Sequence, residues 1–315
     1  MQIISFSSTN TDKKMYKSLQ EIDGLCCARC GRKTITHKKL TEERHSIEAP
    51  ALTALKNQIF AMDKDTIAFR FLNKYAEITP QKTVRDLIAQ ENVQAAMSKL
   101  DKDTQKEIKV LIKKGTKVTL NAQEALKKLS KYKKQLTPNK KIVFEELENL
   151  AEKNKDKTLS QILKMPEVQQ EYKAKAKQHI VANTLNPRCR RDNPFRFFAQ
   201  NKNEDDKTIA EKLISGLENT FEHVKRNSDN GQRIQSNGIT LCFDCNNYIK
   251  ERKYPNIIAE YPKMIDNVQK QINEVIEYIN KGELINHDNY PKEIKKRLYD
   301  ESNHLLDIDI SNLKK

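Results

Sequence analysis

The chain has 315 residues, of which 37% are hydrophobic and 32% charged, with 58 basic and 43 acidic side chains and a net charge of +15. This composition excludes an intrinsically disordered chain, and seven glycines with no tryptophan argue against an all-β or doubly wound fold. No run of 18 apolar residues and no signal-peptide pattern is present. We therefore expect no transmembrane helix and a cytoplasmic location.

The N-terminal segment, residues 1–39, combines a polar stretch with a cysteine turn. Residues 1–24 predict a short helix with a loose start. Cys27-Ala-Arg-Cys30 then precedes Gly31, a residue suited to a tight turn. The stretch 25–36 is therefore predicted to be a cysteine knuckle flanked by short strands.

Residues 40–215 predict a helical body, because their apolar residues recur at helical spacing. We expect six to eight helices, with Thr158 and Thr208 as capping residues and prolines at several breaks. The lysine-rich run 127–134 allows two interpretations, a solvated helix face or a surface that follows phosphates. No clustered His, Asp or Glu pattern indicates a second catalytic centre in this body.

Residues 216–255 contain the motifs, and residues 256–315 form a tail. In the motif region a polar loop from Lys225 to Ser236 separates two short apolar pieces, and a helix is predicted to start near Cys245. The tail predicts two helices, at about 261–281 and 291–305. The first of these has an apolar stripe that includes Met264, Val268 and Ile272.

Two C-x-x-C pairs, Cys27/Cys30 and Cys242/Cys245, predict a structural zinc site. Each pair offers two thiolates from one turn, and zinc favours four such ligands in a tetrahedron. One alternative is two unrelated cysteine turns, and another is Cys26 in place of Cys27. Cys27 is favoured, because it alone has the two-residue spacing to Cys30. Cys189 is expected to be a free thiol. A zinc ion here would pin both ends of the helical body, which would then be an insertion into a small module.

The motif region resembles the HNH endonuclease family. The elements that carry the resemblance are the Glu222-His223 pair, the polar loop, Asn237 before an apolar strand, and Cys242-x-x-Cys245 followed by Asn246. It covers about 30 residues and the Cys27 knuckle. It implies a mainly α protein with a small zinc-stapled ββα-metal (HNH) module, a long helical insertion and a helical C-terminal tail.

The resemblance also implies roles for the residues of the motif. His223 would be the general base, and Glu222 and Asn246 would hold one Mg²⁺ or Mn²⁺ ion, with Asn247 as an alternative to Asn246. Asn237 would brace the loop and orient His223. Phosphate contacts are expected from three basic residues, Lys225, Arg226 and Lys250. The family commonly has Asp at the position of Glu222, and many members have His at the position of Asn246.

The implied function is metal-dependent hydrolysis of phosphodiester bonds in DNA. The basic surplus suits such a polyanionic partner, although lysine-rich chains of AT-rich genomes show it without any nucleic-acid role. The helical body would bind the substrate or a protein partner. The rival interpretation is a catalytically inactive zinc-stabilised module that binds nucleic acid or protein.

Overall fold

The structure is a computed structural model. It describes residues 19–59, 66–185, 192–225, 229–232, 234–249, 262–286, 289–302 and 308–314. The predicted helix in residues 1–24 lies largely outside this part of the chain. So do Cys189, Arg226 and Lys250.

In the described residues the protein is mainly helical with one small antiparallel sheet, as the sequence predicts. Helices α1 to α12 are His37–Ser46, Ala51–Ile59, Ile67–Ile78, Val84–Ile88, Glu91–Met97, Lys102–Gly115, Ala122–Leu129, Pro138–Lys153, Leu159–Lys164, Pro166–Ala182, Arg196–Gln200 and Asp206–Ile214. The strands β1 and β2 are Asn219–His223 and Gly238–Cys242, followed by α13 (Phe243–Ile249), α14 (Met264–Asn280) and α15 (Tyr290–Ser302). In the described residues no helix is both long and apolar enough to span a membrane.

The chain divides into two compact units. The first consists of Met1–Glu42, Gln135–Thr137 and Ile214–Lys315, and it contains both C-x-x-C pairs and the sheet. The second, here called the helical unit, consists of Glu43–Lys134 and Pro138–Leu213. The finer division at residues 39/40, 215/216 and 255/256 stays a prediction.

The helical unit contains more and shorter helices than expected. Eleven α-helices lie between residues 51 and 214 of its described part, against the six to eight predicted, because side-chain caps divide the chain where no proline does. Thr158 caps α9 in a capping box with Gln161, as expected. The prediction for Thr208 is wrong, because it lies inside α12 and its backbone N–H donates to Asp205 Oδ1 at 2.7 Å.

The lysine-rich run 127–134 is largely held by the protein. Lys128 Nζ donates to the Ser46 carbonyl at 2.9 Å. Lys131 pairs with the buried carboxylate of Glu43 at 2.8 Å, and Lys133 pairs with Glu148 at 2.7 Å. These contacts favour the interpretation of a structural, solvated helix face over one that follows phosphates.

The first unit packs the sheet and the Cys27 turn against the tail helices. Both tail helices lie close to their predicted positions, and the apolar stripe of α14 is buried in the same core as Phe221, Ile239 and Leu241. The amide of Gln271 on α14 is also buried. It accepts from the Thr240 N–H, donates to the Thr240 carbonyl, both at 2.9 Å, and donates to the Cys26 carbonyl. This one polar side chain therefore ties β2 to the turn that carries the first cysteine pair.

Candidate functional site

The four cysteines of the two C-x-x-C pairs meet in space. Their Sγ atoms all lie within 4.8 Å of one another, and Cys30 Sγ is 3.9 Å from Cys242 Sγ. A tetrahedral zinc ion with bonds of about 2.3 Å separates its sulfur ligands by roughly 3.8 Å. The cluster is therefore compatible with structural zinc. In the described part of the chain it is the one group of three or more His, Cys, Asp or Glu close enough to hold a metal ion.

Backbone geometry explains how the first turn presents two sulfurs. The Cys27 N–H donates to the Arg32 carbonyl at 2.8 Å, and the Gly31 N–H donates to the Cys27 carbonyl at 2.9 Å. Gly31 has φ +72°, a conformation that a side chain disfavours. On the other side, Cys242 ends β2 and Cys245 lies in the first turn of α13.

Cys26 takes no part in the cluster. Its backbone N–H donates to Glu274 Oε2 at 2.7 Å, and its own Sγ lies against the Cys27 carbonyl. Burial, with the nearby charge of Glu274, raises the pKa of the Cys26 thiol to about 11. Of the two adjacent cysteines, Cys27 is therefore the one placed to bind metal, as its spacing to Cys30 indicates.

Arg32 stands beside the sulfurs and is a residue that the sequence prediction missed. Its Nε donates to Cys30 Sγ at 3.1 Å, and a terminal nitrogen donates to Cys242 Sγ at 3.4 Å. The other terminal nitrogen donates to the Gln135 carbonyl at 3.3 Å. Hydrogen bonds from the neighbouring thiols, aided by Arg32, hold the pKa of Cys30 well below its usual range. The position of Arg32, two residues after Cys30, could have indicated this role in the sequence. Four thiolates around Zn²⁺ leave two negative charges that a nearby cation can offset.

Replacement of Arg32 by Gln is expected to weaken zinc retention about 10- to 100-fold, the usual cost of losing a group that supports metal ligands. The measurement is zinc transfer to a chromogenic chelator. Arg44→Gln, which removes a half-exposed guanidinium paired with Glu211, is the matched control. Equal chelator kinetics for the two variants would contradict a role of Arg32 at the cluster.

The two strands pair antiparallel, with Glu222 opposite Ile239 and His223 opposite Gly238. The Phe221 ring lies over Gly238, where any Cβ would overlap it. The same ring meets the His223 imidazole edge to face at 5.1 Å between centroids. His223 is half-buried at the end of β1 and packs against Phe221 on the same face of the strand. Its Nε2 atom is shielded from solvent.

Asn237 braces the connection between the strands. It is fully buried, and its Oδ1 accepts from the Lys225 N–H at 2.8 Å. Its Nδ2 donates to the Lys225 carbonyl at 2.8 Å and to the Gln232 carbonyl at 2.7 Å. The Asn237 backbone carbonyl accepts from the Val224 N–H at 2.9 Å. The Asn237 side chain thus connects the two ends of the described part of the loop, at Lys225 and Gln232.

Asn237→Ala is expected to lower the free energy of unfolding by more than about 2 kcal/mol. It would leave three backbone groups, two of the half-buried Lys225 and one of the exposed Gln232, without their side-chain partner, at about 1–3 kcal/mol for each group that water does not reach. Urea unfolding measures the change. The control is Asn247→Ala, the same substitution at an exposed asparagine. Equal stability of the two variants would show that the brace contributes nothing.

Glu222 and Asn246 lie on one side of the sheet. Side chains alternate along a strand, so Glu222 shares a face of β1 with Thr220. Asn246 on α13 donates from Nδ2 to Thr220 Oγ1 at 2.9 Å, which places α13 against that face. A carboxylate and an amide oxygen are donors of the hard type that Mg²⁺ and Mn²⁺ accept. Asn247, the alternative to Asn246, is exposed.

The three expected phosphate-binding residues are described unequally. Lys225 follows β1, is half-buried, and has its backbone fixed by Asn237. Arg226 and Lys250 lie outside the described residues. All three stay predictions.

Comparison with known proteins assigns the motif region to a family. The model of the HNH endonuclease family matches residues 207–252, a range that includes both strands, α13 and the second cysteine pair. Comparisons with curated proteins and with solved structures find no match. The family match therefore rests on this segment and says nothing of the rest of the helical unit.

Proposed function

We propose that the protein is a metal-dependent HNH endonuclease that hydrolyses phosphodiester bonds of DNA. The observation that carries the proposal is the β1–β2–α13 element within the HNH-matched segment, which joins the Glu222-His223 pair, the Asn237 brace and Asn246 to a four-cysteine cluster. Nuclease-type activity follows from the family, and DNA as the substrate is our inference from the basic surplus of the chain.

His223 is assigned as the general base. A neutral imidazole accepts a proton from water near pH 7, and this proton leaves as the water attacks phosphorus. The edge contact with Phe221 limits the rotation of the ring. Asn237 holds the backbone just after His223, through Lys225 and Val224, so it acts as a positioning residue.

Glu222 and Asn246 are assigned to one divalent cation, Mg²⁺ or Mn²⁺. When bound, such an ion would supply charge neutralisation at the scissile phosphate and the leaving oxygen. The hydrogen bond from Asn246 to Thr220 fixes the amide beside the strand face that carries Glu222. The four-cysteine cluster lies at the end of the hairpin away from His223, where Cys242 pairs with Asn219, and is assigned a structural role.

The test is nicking of supercoiled plasmid by the purified full chain, with Mg²⁺, with Mn²⁺ and without added divalent metal. We expect metal-dependent conversion to open-circular or linear DNA. Activity that is equal with and without added divalent metal, or the absence of activity under all three conditions, would overturn the proposal.

A second candidate, an inactive zinc-stabilised binding module, is favoured by one feature of the site. The Nε2 atom of His223 is shielded from solvent, although a general base has to meet water. Binding of plasmid DNA without nicking in any metal would favour this candidate over the enzyme.

A further inference from the structure

A row of four lysines runs along one face of α6 in the helical unit. Its members are Lys102, Lys106, Lys109 and Lys113, here called the α6 lysine row, and all four are exposed. They are spaced by four, three and four residues, so they fall on one side of a helix with 3.6 residues per turn. The opposite side of α6 buries Thr104, Ile108, Leu111 and Gly115.

The row differs from an ordinary solvated helix face. On such a face, charges of opposite sign usually stand three or four residues apart, and like charges at that spacing destabilise a helix by about 0.2–0.5 kcal/mol per pair. The α6 lysine row contains three successive like-charge pairs at this spacing. Lys102 also stands in the first turn, where the helix dipole disfavours a cation. The like-charge pairs and the position of Lys102 therefore each oppose the stability of α6.

Within the described residues, three of the four lysines have no carboxylate at ion-pair distance. The exception is Lys106, which lies 3.1 Å from Asp103, and both of those side chains are largely exposed, at 77% and 92%. Other lysines of the same unit are held by half-buried or buried carboxylates, such as Lys175 by Glu146 and Lys207 by Glu48. The charges of Lys102, Lys109 and Lys113 are thus left for a partner.

The dimensions of the row suit the backbone of a nucleic acid. From Lys102 to Lys113 the helix rises about 16 Å, and one strand of a DNA duplex carries a phosphate about every 3.4 Å along its axis. α6 contains no aromatic residue, so the row lacks the stacking platform with which proteins hold single strands. Most of the basic surplus of the chain also belongs to the helical unit.

We propose that the α6 lysine row binds the phosphate backbone of duplex DNA without reading its sequence. That this DNA is the substrate of the protein rests on the proposed nuclease function, whereas the binding itself does not. The α6 lysine row extends the proposed function, because it assigns to the helical unit the binding of a duplex through one of its strands.

The test uses the full chain carrying His223→Ala, without added divalent metal, so that binding is measured without cleavage. Lys102, Lys106, Lys109 and Lys113 are all replaced by Gln. The matched control replaces four exposed lysines of the same unit that do not form a row, Lys153, Lys155, Lys157 and Lys164. Both variants lose four positive charges. Fluorescence anisotropy with a labelled duplex is recorded from 50 to 300 mM salt, and circular dichroism checks that helicity is retained.

The row variant is expected to bind duplex DNA at least about tenfold more weakly at 0.1 M salt, with a slope of log K against log salt that is smaller by about 3 to 4, since each phosphate contact contributes about 0.9. The control variant should change the slope by less than about 1. An equal loss in both variants, an unchanged slope in the row variant, or an equal loss for single-stranded DNA of the same length would overturn the proposal.

The outcomes for the row and for the nuclease are separable. If the chain with intact His223 does not cut plasmid but the row variant loses duplex binding, the nuclease proposal fails and the row stands. If the intact chain cuts and the row variant binds duplex as its parent does, the row fails and the nuclease stands.

Discussion

Replacement of His223 by Ala is expected to reduce plasmid nicking about 10²- to 10⁴-fold, the usual cost of losing a positioned general base. The imidazole is half-buried at the end of β1 and takes no part in the cysteine cluster. Its loss should therefore leave zinc content and secondary structure unchanged. The rate of nicking in Mg²⁺, together with zinc content by elemental analysis, measures both expectations.

Glu222→Ala and Asn246→Ala give a contrasting pattern. They are expected to raise the divalent-metal concentration required for half-maximal activity, and additional Mn²⁺ should restore part of the rate. Added metal should restore nothing to His223→Ala, because that variant lacks a proton acceptor. The neighbour Asn247→Ala should behave as the parent. A His223→Ala protein that nicks as fast as its parent would mean that this site is not a nuclease.

Replacement of Cys242 by Ser is expected to remove bound zinc and to unfold the first unit. Cys242 is fully buried at the end of β2, and its sulfur lies 3.9 Å from Cys30 Sγ. Structural zinc sites contribute about 10–16 kcal/mol of apparent binding free energy, as much as the whole stability of an ordinary domain. Zinc content and thermal unfolding followed by circular dichroism measure the effect, and a strong chelator should reproduce it.

Cys26→Ser is the control for this experiment. Cys26 is as buried as Cys27 but lies outside the cluster, so its variant should keep the zinc content of the parent. Loss of zinc from Cys26→Ser, or full zinc retention in Cys242→Ser, would contradict the assignment of ligands.

The cysteine cluster and the tail helices could be predicted because their patterns are local. A C-x-x-C turn fixes the distance between two sulfurs, and two such turns complete one tetrahedron. The apolar stripe of α14, with Met264 and Val268, needs no tertiary context to be recognised, because it repeats at the period of a helix.

The supports of the site could not be predicted, because each acts over a long separation in sequence. Gln271 meets Thr240 and Cys26 only after α14 packs on the sheet. In the sequence of α14, nothing distinguishes this glutamine from the other polar residues of the helix. The error at Thr208 has a more local origin, since Asp205 offers a competing cap three residues earlier and the carboxylate takes the bond.

The separation of the two cysteine turns has a consequence for synthesis of the chain. Cys30 and Cys242 are 212 residues apart, and a ribosome adds about 5–20 residues per second. The first turn therefore waits on the order of ten to forty seconds before its partner emerges, while the helical unit between them can already fold. His223 and Asn246 belong to a sheet and helix that close only with the second turn. A cluster that needs both cysteine turns therefore delays the candidate nuclease site until residue 245 has been made.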